Sequence, residues 1–153
     1  MMTEDAYQLG CAYIKEGNYR EALVYFRRQM AVYENDPSVE IPSDFLSNYG
    51  MAIAMAENRI AEAINYCRKA VRQEKRNPEF YLNLGKVYLK ADQKLNAVHV
   101  LNKGLKIAKH HEGIMNELKQ VGVRQPPVLP FLPRGHFLNK YLGLLMARLR
   151  KRK

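Results

Sequence analysis

The sequence predicts an all-α solenoid of three helix hairpins, closed by a capping helix and followed by a C-terminal amphipathic helix. Two observations carry that prediction. The first is a frame of small residues that recurs along the chain. Leu9–Gly10 with Tyr13 matches Leu84–Gly85 with Tyr88, and an alanine stands twelve residues after each glycine, at Ala22 and Ala97. Between them Tyr49–Gly50, Ile53, Ala63, Cys67 and Ala70 repeat the frame, with one extra residue assigned to that unit's internal turn. The second observation is helical spacing of the large residues: Phe26 and Leu101 each lie four positions beyond the alanine. The stretch "YLNLGKVYL", residues 81–89, then makes sense. A glycine inside a helix loses ~1 kcal/mol relative to alanine. Its recurrence among large side chains points to places where two helices cross closely and a side chain would hold them apart.

The elements follow in order. Gly17 closes the first helix, and Asn18 with Glu21 reads as a capping box that opens the second. The segment "NDPSVEIPS" then lengthens the spacing, so that Gly10 and Gly50 stand 40 residues apart while Gly50 and Gly85 stand 35 apart. It reads as an insertion in preference to part of a binding edge. Asn77–Pro78 reads as a cap and first helical residue. Asp92 reads as the cap of a helix over 93–110. A capping helix over 112–121 presents Met115 and Leu118 as its apolar positions and stops at Gly122.

This frame resembles the tetratricopeptide repeat family, whose 34-residue unit carries a large residue, Leu-Gly and Tyr, then Ala, Phe and Ala. The matching units run over about 3–36, 43–77 and 78–111, within a repeat domain of residues 1–121. Gln29 departs from the pattern where the family has alanine, and Tyr49 where it has leucine. The resemblance implies a right-handed solenoid in which one hairpin alone cannot bury its apolar face. It also implies a concave groove, lined by the first helix of each unit, that holds a peptide or another protein. In that register the outer row of the groove is Glu4, Asp44 and Glu79, and the inner row is Gln8, Asn48 and Asn83. Tyr7, Cys11, Met51, Met55, Lys86 and Leu89 surround them. A carboxamide offers a donor and an acceptor together, which matches a peptide backbone. Exposed helix positions also tolerate amides, and helix N-termini favour acids, so both rows have a purely structural reading as well. Family members that grip the acidic C-terminus of heat-shock chaperones use lysine and arginine in these rows. Glu79 and Asn83 stand there instead, so the expected ligand is basic or amphipathic.

Composition bounds the rest. The 153 residues suit one domain, and 47 % hydrophobic with 26 % charged residues describes a globular chain. No apolar run approaches the ~20 residues of a spanning helix, and the N-terminus lacks a secretory pattern, so a cytoplasmic location is expected. Net charge is +10 but polarised: residues 1–36 hold 6 acidic and 4 basic groups, while residues 112–153 hold 2 and 9. Residues 122–135 form a proline-rich connector, "QPPVLPFLPRG" at its heart. Over 136–153, Leu138, Tyr141, Leu142, Leu145 and Leu149 share one helical face, and the end is Arg148, Arg150, Lys151, Arg152 and Lys153. Such a helix has three fates: docking on its own repeats, docking on a second copy as a homodimer, or lying on an anionic membrane. An acidic groove row and a basic end also suit each other, within one chain or between two.

No chemistry is expected. Cys11 and Cys67 lie in helical apolar patterns and read as small hydrophobes. His110 and His111 point about 100° apart on a helix and make a poor chelate. No phosphate loop, nucleophile elbow or Cys-x-x-Cys occurs. The expectation is therefore no enzyme, no metal and no cofactor. The expected function is a protein-interaction adaptor or small assembly chaperone. The alternative is a membrane-surface or nucleic-acid-associated protein acting through the basic helix.

Overall fold

Each hairpin turns through one residue in the left-handed region: Gly17 (φ +80), Asn58 (φ 57) and Asp92 (φ 54). These are the residue types that enter this region at least cost. The computed structural model describes residues 2–36, 38–122 and 141–142, with side chains from residue 6 onward. In order, the helices are α1 (Met2–Lys15), α2 (Tyr19–Asn35), α3 (Ser43–Glu57), α4 (Ile60–Gln73), α5 (Pro78–Lys90), α6 (Lys94–Ile107) and α7 (Glu112–Gln120). No strand occurs among the described residues. The chain divides into two units, Met1–Val121 and Gly122–Lys153. In the second unit the description covers Gly122, in a turn, and Tyr141 and Leu142, which are helical. The connector over 122–135 and the helix expected over 136–153, with its basic end, otherwise lie outside the described residues.

Helices pack as hairpins, α1 on α2, α3 on α4 and α5 on α6. The first helices also stand side by side, α1 on α3, α3 on α5 and α5 on α7. At each crossing a glycine of the first helix lies against a side chain of the second. A Cβ on Gly10 would sit 2.4 Å from Phe26 Cε1, and one on Gly85 would sit 2.4 Å from Leu101 Cδ2. On Gly50 it would meet Cys67 Sγ at 2.8 Å and the Ala63 carbonyl oxygen at 2.9 Å. Ala22, Ala63 and Ala97 are fully buried beside these contacts. The frame of small residues is thus the frame of helix contacts.

Four local expectations need correction. Asn18 sits at the N-cap of α2, but its side chain makes no capping bond; its amide donates to Glu16 at 3.1 Å instead. Asp92 does not cap α6. It supplies the left-handed residue after α5, where the Gln93 amide reaches back to the Tyr88 carbonyl at 2.9 Å, while Gln93 takes the N-cap place of α6. The extra residue of the middle unit is not in the turn. Every unit has five residues from its left-handed residue to its alanine, so the addition lengthens α3. In α7 the fully buried residue is Ile114, whose Cδ1 fills the space at Gly104, and not Met115, which is half-buried; Leu118 packs on the same core cluster as expected. By contrast Asn77 does cap α5, accepting from the Glu79 amide at 3.1 Å, with Pro78 in the first turn.

The loop before α3 is tied down. Asp36 accepts from the Ser38 amide at 3.1 Å and its hydroxyl at 2.5 Å, which holds the Asp36 carboxyl below its usual range. Gln73 donates to Glu40 and to the Ile41 carbonyl, and Ser43 donates to Glu74, pinning the loop to the end of α4. An aromatic run fills the junction between the first two units, with Phe45 touching Tyr7, Phe26, Tyr33 and Tyr49 at 5.2–6.0 Å between ring centres.

Gly50→Ala should destabilise the protein by ~1–3 kcal/mol despite its better helix propensity, because a backbone carbonyl cannot rotate away from the new methyl. Gly85→Ala would meet Leu101 at Cδ2 and at its branch carbon Cγ, a side chain that can turn where a carbonyl cannot, and should cost less. Urea denaturation of the two variants checks the order.

Candidate functional site

The side-by-side first helices bring together residues that the sequence holds 30 to 40 positions apart. Asp44 and Asn48 on α3 face Glu79, Asn83 and Lys86 on α5, and Cys11, Ile14 and Lys15 on α1 close the same groove. Its volume is ≈ 820 Å³. On α5 the spacing of Glu79, Asn83 and Lys86 keeps all three on one helical face.

The amides of this groove are joined in a ladder. Asn83 Nδ2 donates to Ser47 Oγ at 3.0 Å and to Asn48 Oδ1 at 3.1 Å. Asn48 Nδ2 donates to the Tyr7 hydroxyl at 3.1 Å and to Cys11 Sγ at 3.5 Å. All four amide hydrogens are therefore used within the protein. What stays available is acceptor capacity: Asn83 Oδ1 has no partner among the described residues, and Asn48 Oδ1 has a second lone pair. Asn83 is 6 % exposed, so the ladder is a packed structure that also floors the groove.

Charge follows the same sign in part. The Asp44 carboxyl is pushed up by burial and by the nearby Glu74 charge. Glu79 Oε1 lies 2.9 Å from His111 Nε2. His111 Nδ1 accepts from the Ile114 amide at the start of α7, so Nε2 carries the hydrogen and donates to Glu79. Lys15, Glu16 and Lys86 line the groove as well. Ile14, Met51, Phe80 and Leu82 supply apolar wall.

The structure gathers most of the residues singled out in the sequence, but not all. Asp44, Asn48, Met51, Glu79, Asn83 and Lys86 line one groove. Tyr7 lies behind it, packed against Phe26 and Phe45 with its hydroxyl in the ladder, and burial pushes its phenol well above the usual range. Gln8 is exposed and stands apart from the groove lining. It shares the register of Asn48 and Asn83, each of which bonds to residues of the preceding unit. Glu4 lies on α1 with its side chain outside the described residues. Sequence reasoning missed the α1 end of the groove, Ile14 to Tyr19, because the turn swings there only once the hairpins stack. It also missed the His111–Glu79 contact across 32 residues.

The cysteines differ. Cys67 is fully buried and its thiol is pushed up to about 12 by burial, so it stays protonated. Cys11 is half-buried, lines the groove and accepts from Asn48. No group of three or more His, Cys, Asp or Glu side chains suited to a metal ion occurs among the described residues. No helix there is long and apolar enough to cross a membrane.

Two tetratricopeptide repeat models match the sequence, one over residues 6–40 and one over residues 54–118. No curated protein matches it. Among solved structures, the first repeat domain of human RPAP3 superposes with a TM-score of 0.62 at 20 % identity, covering 79 % of this chain and 90 % of that one. The Arabidopsis OM64 repeat domain superposes at 0.61 and 16 % identity, covering 78 % and 93 %. MamA superposes at 0.59 and 15 % identity, covering 99 % and 81 %.

Asn83→Ala and Asn48→Ala should each destabilise by ~1–2 kcal/mol, since each leaves buried partners unsatisfied. The double variant should lose less than the sum, because the two residues share one bond; a urea-denaturation cycle reads this. Asp44→Asn should raise stability at neutral pH. Folding raises the Asp44 pKa, so its ionised form opposes folding, and that opposition fades as pH falls through the carboxylate range. Melting curves at pH 7 and pH 3 should show the gain only at pH 7.

Proposed function

The chain belongs to the tetratricopeptide repeat family, and we propose that it is a protein-interaction scaffold whose groove holds a peptide or helix of basic or amphipathic character. One observation carries the reading. The groove spends its amide hydrogens internally and keeps acceptors: Asn83 Oδ1, Asn48 Oδ1 and the carboxylates of Asp44 and Glu79. Such a floor favours a ligand that brings donors, whether backbone N–H groups or cationic side chains. The apolar wall of Met51, Phe80 and Leu82 favours one that also carries large aliphatic residues.

Some structural neighbours take acidic peptides. The first repeat domain of Spaghetti is bound to the Hsp90 peptide SRMEEVD, and the second of human RPAP3 to the Hsp70 peptide SGPTIEEVD. Their identities to this chain are 19 % and 16 %, which speaks for the fold and not for the ligand. The carboxylates of Glu16, Asp44 and Glu79 outnumber Lys15 and Lys86 in this groove, so the proposed ligand has the opposite sign of charge. In this reading residues 1–121 form the binding domain, and residues 122–153 add the proline-rich stretch and the basic end. It is a cytoplasmic adaptor or assembly factor without catalytic function.

Fluorescence anisotropy with a labelled Lys/Leu amphipathic 12-mer and with SRMEEVD tests the reading. The basic peptide should bind in preference, and Asp44→Asn/Glu79→Gln should weaken it by about fivefold, a change of ~1 kcal/mol. Preference for the acidic peptide, or equal binding by the double variant, would overturn the proposal.

A further inference from the structure

A second pocket, ≈ 330 Å³, opens on the other face of α5. Tyr81, Leu84 and Tyr88 are spaced three and four apart, about half a turn round the helix from Glu79, Asn83 and Lys86. The rim carries Arg68 and Arg72 from α4 and His99 and Lys103 from α6, and no carboxylate lines it. Leu84 and Val100 are among its apolar residues.

Two features mark it as unfinished. Tyr88 is 3 % exposed, and its hydroxyl accepts from Arg68 Nε at 3.0 Å and Arg68 Nη2 at 2.6 Å. A phenol also donates, and this one donates to no acceptor among the described residues. A guanidinium, meanwhile, rests on a neutral oxygen where it would bind a carboxylate more strongly. The first junction shows the completed version. Arg27 stands five residues after Ala22, as Arg68 does after Ala63, and its Nη2 meets both oxygens of Glu57 at 2.7 and 2.8 Å. The second junction has the arginine and lacks the acid.

We infer that this pocket binds a carboxylate carried on an apolar body, supplied either by an acidic side chain with an apolar neighbour in a partner peptide or by a small organic acid. The carboxylate takes the Tyr88 hydrogen and the Arg68 guanidinium, with Lys103 and Arg72 neutralising its charge. The apolar body rests on Leu84 and Val100. A volume near 300 Å³ suits a ligand of this size. Because it lies on the opposite face of α5, this site and the groove can be filled together, and a failure here leaves the groove reading intact.

An NMR titration of the full chain tests the inference, with 2-naphthoate, its neutral counterpart 2-naphthamide and the capped peptide Ac-Glu-Leu-Phe-Glu-Leu-NH2 as probes. Naphthoate should shift the signals of Arg68, Tyr88 and Lys103 saturably and leave those of Asn48 and Asn83 in place. Tyr88→Phe should weaken it about fivefold through the lost hydrogen bond, and Lys103→Glu, at an exposed position, should abolish it. Saturable shifts with the peptide at the same signals would identify a polypeptide source; shifts with naphthoate alone would identify a small acid. Unsaturable shifts spread over the exposed lysines, equal binding of the amide, or full binding in both variants would overturn the inference.

Discussion

Everything in the repeat domain depends on how closely the helices of each hairpin approach. The glycines at 10, 50 and 85 leave room for Phe26, for the Ala63 carbonyl with Cys67, and for Leu101. Lost helix propensity at three positions is small beside the apolar area that the close crossings bury. The same logic extends between units. Ala70 lies in one cluster with Phe80, and Gly104 receives Ile114, so a small residue of each second helix meets a large one of the next unit. Where the first unit places Gln29 instead, one buried amide oxygen is left without a partner among the described residues.

That spacing also sets the chemistry of the groove. First helices close enough to pack are close enough for their amides to bond, and the Asn83–Asn48–Tyr7 ladder follows. The ladder's donors hold the units in register, and its acceptor oxygens stay outside that bonding. In the proposed reading binding and stability therefore share residues, whereas the carboxylates Asp44 and Glu79 lie outside the ladder and line the groove. Asp44 does so at a cost to the fold, since its ionised form is disfavoured by burial and by Glu74.

Much of this was legible in the residues, and the failures share a cause. Helix number, pairing and the contact frame follow from the glycines, alanines and large residues. So does the Asn77–Pro78 start of α5, which a side chain and its own backbone settle locally. The misreadings arose where one residue had two local uses. Asp92 suits an N-cap and a left-handed turn equally, and the packing of α6 on α5 selected the turn. At Asn18 the side chain bonds Glu16 through Nδ2, and its Oδ1, the atom a cap would use, makes no capping bond. The extra residue of the middle unit is silent in sequence, because a helix and a turn absorb one residue with similar ease.

By itself the sequence determined an all-α repeat, its three crossings and the two rows of polar residues on its first helices. Periodicity and small residues report on these directly, since each reflects contacts within one helix or one hairpin. Only the tertiary structure decided which members of those rows meet: Asn48 with Asn83 and Tyr7, Glu79 with His111, and Gln8 with none of them. Those contacts span 32 to 41 residues, and their partners are chosen by the stacking of whole units, which no local pattern encodes.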